Sequence, residues 1–119
     1  MSDKNLKTRT FKFAVAVGKL VTALPFNGIN RVYFNQLIKS SSSVGANYRA
    51  SQRAKSTNDF INKLKIAEEE ADESVYFLEL LLEFNPDHSN NISLLVREGT
   101  EILKIIVASI NTSRANAKS

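Results

Sequence analysis

The stretch that decides the fold is residues 56–84, STNDFINKLKIAEEEADESVYFLELLLEF. It opens with Ser56, a favoured N-cap residue, and Asp59 follows three positions later, as in a variant of the capping box. Small or apolar residues then recur about every 3.5 positions, the spacing of near-parallel helices that pack knobs into holes. These residues are Phe60, Leu64, Ala67, Ala71, Ser74 or Val75, Leu78 and Leu81. The pattern predicts a helix over 57–84 that ends where Asn85-Pro86-Asp87 interrupts it.

Helical periodicity continues on both sides of this stretch, and no segment alternates with the period of two that a strand requires. Helices are predicted over about 7–24, 29–54 and 90–111, and the polar tail after the last is expected to fray. The apolar stripe of the first is Phe11, Ala14, Val17, Gly18, Val21 and Leu24. Loops of a few residues make successive helices antiparallel. The sequence therefore predicts an all-α fold, an antiparallel up-down-up-down four-helix bundle in one domain over residues 1–119.

Composition excludes several kinds of chemistry. The chain has 119 residues, no Cys and one His, so disulfide frameworks and thiolate metal sites are ruled out. His88 lies in a predicted loop without the Glu-x-x-His pairs of a di-iron bundle, and no phosphate-binding loop or nucleophile elbow occurs. We expect no enzyme activity, no catalytic residues, no bound metal and no cofactor. No run reaches the roughly 18 apolar residues of a membrane span, and no signal peptide stands out, so a cytoplasmic location is expected.

The third helix carries a dense acidic segment within residues 68–73, EEEADE. Paired carboxylates can perform acid–base chemistry or hold a divalent ion. The favoured interpretation is a solvated face, in which Lys65 and Glu69 form an i,i+4 pair. A carboxylate metal-binding bundle is the minor alternative.

Small residues are concentrated in the second helix, where residues 40–47 read SSSSVGAN. Gly costs about 1 kcal/mol relative to Ala in a helix, and the compensation is that small side chains let a neighbour approach closely. The neighbour is either the third helix of the same chain or another subunit. Ser41, Gly45 and Tyr48 are the predicted residues of this close helix packing or oligomer interface.

Charge is distributed unevenly along the chain. Residues 1–65 hold 12 basic and 2 acidic residues, and residues 66–119 hold 4 basic and 10 acidic ones. The assumed topology gathers eleven basic residues, Lys4 and Lys118 included, at one end with Asp3 and Asp59, and leaves the other end, with Glu98, slightly acidic. The predicted nucleic-acid-binding residues at the basic end are Lys7, Arg9, Lys12, Arg49, Arg53, Lys55, Lys63, Lys65 and Arg114.

A concentrated cationic end suits a polyanion such as RNA or DNA. No ladder of aromatic residues accompanies these cations, so contact with the phosphate backbone is predicted and stacking on bases is not.

Four short sequences support a resemblance to a known family: SVGANY (43–48), AKS (54–56), DFINKL (59–64) and EADESVYFL (70–78). They resemble the signature of the four-helix bundle proteins found in intervening sequences of bacterial large-subunit ribosomal RNA genes. That family is similar to the accessory variability proteins of diversity-generating retroelements, which form ring-like pentamers, bind a reverse transcriptase and carry a basic nucleic-acid-binding surface. The resemblance implies a homo-oligomer, a pentamer, with a reverse transcriptase as a candidate partner. Another branch has Asn-Ile-Ala-Glu-Gly where this chain has Asn47-Tyr48-Arg49-Ala50-Ser51, so nothing assigned to that Glu and Gly carries over.

Two functional hypotheses lead from these observations. The first is an oligomeric, non-enzymatic accessory protein that binds nucleic acid through its basic end. The second is a protein–protein scaffold without nucleic acid.

Overall fold

Four α-helices account for most of the chain. The computed structural model describes residues 5–118, in which α1 is Leu6–Ala23, α2 is Gly28–Ser51, α3 is Thr57–Phe84 and α4 is Ser89–Lys118. A 3₁₀ turn, Pro86–His88, joins α3 to α4, and no strand occurs among residues 5–118. Each helix packs beside the next in the chain, and α4 returns to contact α1 less extensively, in a bundle of 51 × 23 × 20 Å. The predicted all-α four-helix bundle is confirmed.

The N-terminus of α3 forms as its sequence predicts. Ser56 Oγ accepts a hydrogen bond from the Asp59 backbone N–H at 3.1 Å, and the Asp59 carboxylate accepts one from the Lys55 N–H at 3.4 Å. Asn27 caps α2 in the same way, because its side chain accepts the Asn30 N–H at 2.9 Å. These bonds satisfy N–H groups that have no partner inside the helix.

Two predicted helix ends are wrong. The second helix ends at Ser51 and not at residue 54, because Gln52 and Arg53 form a turn whose N–H groups bond to carbonyls only two to four residues back. The last helix does not end near residue 111 but continues to Lys118. Its final turns lie beside the start of α3, where Phe60 and Asn116 line the same groove, but nearly all side chains after residue 111 remain exposed.

The core contains the predicted stripe of α3, since Leu64, Ala67, Ala71, Ser74, Leu78 and Leu81 are all buried. The predicted stripe of α1 is right at Val17 and Leu24, which are buried, and wrong at Phe11. Phe11 is 65% exposed, whereas Phe13 is 2% exposed. The buried face of α1 is Leu6, Thr10, Phe13, Val17 and Leu20. Both stripes have helical spacing and share Val17, so periodicity alone cannot choose between them; packing against α2 and α4 does.

Small residues bring the helices close together. A Cβ at Gly45 would lie 3.0 Å from Thr10 Oγ1 of α1. In the core between α2 and α3, Ser74 Oγ lies 2.9 Å from Ser40 Oγ and 2.8 Å from the Glu70 carbonyl oxygen, and its single hydroxyl hydrogen is within reach of either acceptor. The small-residue stretch therefore packs against both neighbours of α2 within the chain.

A buried pair of amides connects the start of α2 to the end of α3. Asn30 Nδ2 donates to Asn85 Oδ1 at 2.8 Å, and Asn85 Nδ2 donates to Asn30 Oδ1 at 2.9 Å. The same two amides also donate to the carbonyls of Pro25 and Leu81. The α1–α2 loop is thereby tied to the end of α3. Within residues 5–118, no helix is long and apolar enough to cross a membrane.

Candidate nucleic-acid interface

The turn between α2 and α3 gathers cations around an open depression. Arg49 comes from the last turn of α2, Arg53 and Lys55 from the connecting turn, and Lys63 from the second turn of α3. The depression has a volume of about 470 Å³, and its other lining residues are Ala46, Ala50 and Asp59. Four cations thus surround one carboxylate, for a formal charge of +3. Because α2 ends at Ser51, Arg53 lies in the connecting turn and lines the depression.

A second depression of about 290 Å³ lies between α1 and α2. Lys7 and Phe11 line it from α1, and Arg49 lines it from α2. Ala46 and Arg49 line both depressions, so the two form one continuous surface. We call the five cations Lys7, Arg49, Arg53, Lys55 and Lys63 the basic patch.

No carboxylate within residues 5–118 forms an ion pair within 4.0 Å with a member of the basic patch. Arg49 is favourably placed near the C-terminus of α2, but Lys55 lies just before Ser56, the N-cap of α3. A cation at that position opposes the helix dipole, at a cost of about 0.3–1 kcal/mol at low ionic strength. The helix dipole therefore accounts for Arg49 but not for Lys55.

Four predicted binding residues line neither depression. Arg9 is paired with Glu98 through two hydrogen bonds, of 3.0 and 2.7 Å. Lys65 lies 3.3 Å from Glu68, and this contact replaces the predicted pair with Glu69. Lys12 projects about 140° around α1 from Lys7, given 3.6 residues per turn, and the exposed Arg114 lies on α4.

The assignment of Glu98 to the acidic end is wrong. The first helix has 18 residues and the last has 30, so the start of α1 lies beside the middle of α4, where Glu98 meets Arg9. Two other residues of the predicted charge distribution, Asp3 and Lys4, lie outside the described residues.

Phe11 lies at the edge of the basic patch. Its exposed ring, four residues after Lys7 and on the same face of α1, lines the depression with Lys7 and Arg49. The sequence-based prediction concerned a ladder of aromatic residues, which a single ring does not form; what is wrong is the predicted place of Phe11 in the apolar stripe of α1. The i,i+4 spacing of Lys7 and Phe11 indicates that the two side chains are neighbours on one face of α1. The sequence pattern nevertheless favoured a core position for Phe11, because Phe11 also fits the apolar stripe.

The three residues predicted for close packing lie on the inner side of α2. Ser41 is 1% exposed, and Gly45 meets Thr10 of α1 instead of α3. Tyr48 is half-buried against the core, and this burial raises the pKa of its hydroxyl.

The acidic segment of α3 faces solvent and the flank of α2. The pKa of Glu70 is raised, first by burial and then by the negative charges of Glu73 and Glu69, while Lys39 acts in the opposite direction. Among residues 5–118, no three His, Asp or Glu side chains lie close enough together to hold a metal ion.

Comparison with known proteins places the chain in context. A family model described as 23S rRNA-intervening sequence protein matches residues 3–108. The chain is also similar to the crystal structure of a protein of unknown function from the S23 ribosomal protein family of Bacteroides thetaiotaomicron. The sequences are 34% identical, the match covers 88% of this chain and 97% of that one, and the TM-score is 0.79. No curated protein matches.

Proposed function

We propose that this chain, which belongs to the 23S rRNA-intervening sequence protein family, is a non-enzymatic protein that binds the phosphate backbone of a nucleic acid. The observation that carries the proposal is the basic patch. Its five cations are contributed by α1, α2, the connecting turn and α3, and they share one continuous surface on which Asp59 is the acidic member.

Phosphate contact explains why these cations have no carboxylate partner among the described residues. A backbone of regularly spaced phosphates supplies the counter-charges, and binding releases the ions condensed on the nucleic acid. Such contacts position the polymer without reading base edges. We therefore expect the protein to bind RNA or DNA with weak preference for the base sequence.

Salt dependence tests the proposal directly. If all five cations contact phosphates, the logarithm of the association constant should fall with the logarithm of salt concentration with a slope of about −3.5 for a single strand. Fluorescence anisotropy with labelled RNA and DNA oligonucleotides at several salt concentrations measures this slope. An affinity that is unchanged between low and moderate salt would refute phosphate contact.

Charge reversal locates the contact. The triple variant Arg49→Glu, Arg53→Glu and Lys63→Glu should abolish binding and keep its circular dichroism spectrum. The matched control, Lys19→Glu, Arg31→Glu and Arg97→Glu, changes net charge equally at exposed positions outside the basic patch. The control should retain more affinity than the patch variant. Equal losses would show that net charge, and not this surface, governs binding.

Self-association is a second proposal, and an exposed aromatic cluster on α2 and α3 favours it. Tyr33 packs against Phe77 and Phe84 with ring centroids 6.0 and 5.9 Å apart, and Tyr76 extends the cluster to Phe77 at 5.5 Å. Tyr76 and Phe84 remain 57% and 54% exposed. Apolar surface of this kind marks contact sites on soluble proteins. Sedimentation should show an oligomer that Tyr76→Ser with Phe84→Ser dissociates; a monomeric wild type would refute self-association.

A further inference from the structure

We propose that Phe11 is a stacking platform for an unpaired base, so that the nucleic acid held by the basic patch is single-stranded. The inference rests on the proposed nucleic-acid binding and adds the substrate class. Phe11 is a large aromatic side chain that stays 65% exposed while lining the same depression as Lys7 and Arg49. Aromatic rings beside cations that track a backbone are the recurring parts of single-strand binding sites.

Space beside the ring is available because its neighbours are small. Ala14, Ser42 and Ala46 line the depression next to Phe11, and Gly45 lets α1 lie against α2 through Thr10. At about 290 Å³, the depression is slightly smaller than the range for drug-sized ligand sites, roughly 300–1,000 Å³. That volume suits one planar group placed against the ring.

The flanking charges favour a nucleotide strand as the occupant. Lys7 precedes Phe11 by one turn on the same face of α1, and Arg49 lies across the depression on α2. A base against Phe11 would thus have cations on two sides for its own phosphate and the next one. Bases inside a duplex are stacked on each other and offer no free face, so the ring recognises unpaired bases only.

Three probes of equal length and label separate base stacking from phosphate contact: oligothymidylate, an abasic strand with the same phosphates, and a duplex. We expect wild type to bind oligothymidylate at least about fivefold more tightly than the abasic strand. Phe11→Ala should bring that ratio close to one, with affinity for the abasic strand and the duplex unchanged. Phe26→Ala is the matched control, because Phe26 is 77% exposed in the loop at the other end of α1, and it should retain the wild-type ratio.

A fluorescence signature provides a second readout. The chain has no Trp, so Phe11→Trp introduces a single reporter at the proposed platform. Oligothymidylate should quench it and the abasic strand should not, while neither strand should quench Phe26→Trp.

The outcomes are distinguishable. If no probe binds, both proposals are overturned. If the strands bind with the expected salt dependence but the base-to-abasic ratio is close to one, or Phe11→Ala leaves it unchanged, stacking alone is overturned. If Phe11→Ala lowers the sedimenting mass and leaves the ratio unchanged, the ring covers a second copy of the chain, and stacking is overturned as well.

Discussion

Replacing Gly45 with Ala should destabilise the bundle, although Ala is the better helix former. The added Cβ would lie 3.0 Å from Thr10 Oγ1 and 3.3 Å from Thr10 Cβ. Thr10 cannot easily yield, because it is 1% exposed and its hydroxyl donates to the Leu6 carbonyl at 2.6 Å. Overpacking of this kind costs about 1–3 kcal/mol, and the helix-propensity gain offsets about 1 kcal/mol. We expect a net loss of about 1 kcal/mol.

Gly18→Ala is the matched control. Gly18 is also inside a helix, but a Cβ added there would meet no heavy atom within 4 Å beyond its chain neighbours and the backbone of its own helix. This substitution should stabilise the protein by about 0.5–1 kcal/mol. Adding Thr10→Ala to Gly45→Ala removes the closest atom, so the two changes together should cost less than the sum of their separate costs.

Urea denaturation followed by circular dichroism measures the free energy of unfolding of each variant. The two glycine variants should differ by nearly 2 kcal/mol, the sum of a loss and a gain of about 1 kcal/mol each. If Gly45→Ala stabilises the chain as much as Gly18→Ala does, the close approach of α1 to α2 does not limit this position and the reasoning fails.

Three further substitutions test the polar contacts. Asn30→Ala leaves the buried Asn85 Oδ1 without its donor, while Asn85 Nδ2 keeps the Leu81 carbonyl, so the free energy of unfolding should fall by about 1–3 kcal/mol; a urea midpoint equal to that of wild type would contradict this. Glu70→Gln should be more stable than wild type at pH 7. Because the folded-state pKa is raised, Glu70 contributes stability below its ordinary pKa and loses it as the pH rises through the folded-state value; a pH-independent difference would argue against this. Arg9→Gln breaks the ion pair with Glu98 and should cost about 1 kcal/mol, less at high salt, with a smaller effect on nucleic-acid affinity than Arg49→Gln; the reverse order of affinities would restore Arg9 to the binding surface.

Helix positions could be read from local patterns because caps, breaks and spacing act over a few residues. Ser56 and Asp59 marked the start of α3, and its strong repeat identified the buried face. The α1 stripe was ambiguous, because two faces have equally good spacing and only contacts with other helices decide between them. The end of α4 lies beyond the predicted one, since the polar tail stays helical to Lys118 with nearly all of its side chains exposed.

By itself, the sequence determined four amphipathic helices, their antiparallel order and a basic first half, because each follows from local periodicity, short loops and composition. Tertiary structure alone decided which charges remain without an ion pair among the described residues. Unequal helix lengths bring Arg9 to Glu98, and the turn after Ser51 brings Arg53 beside Lys63. It also left Phe11 exposed beside Lys7 and Arg49. Pairing depends on distances between residues far apart in the chain, and those distances are set when the helices pack.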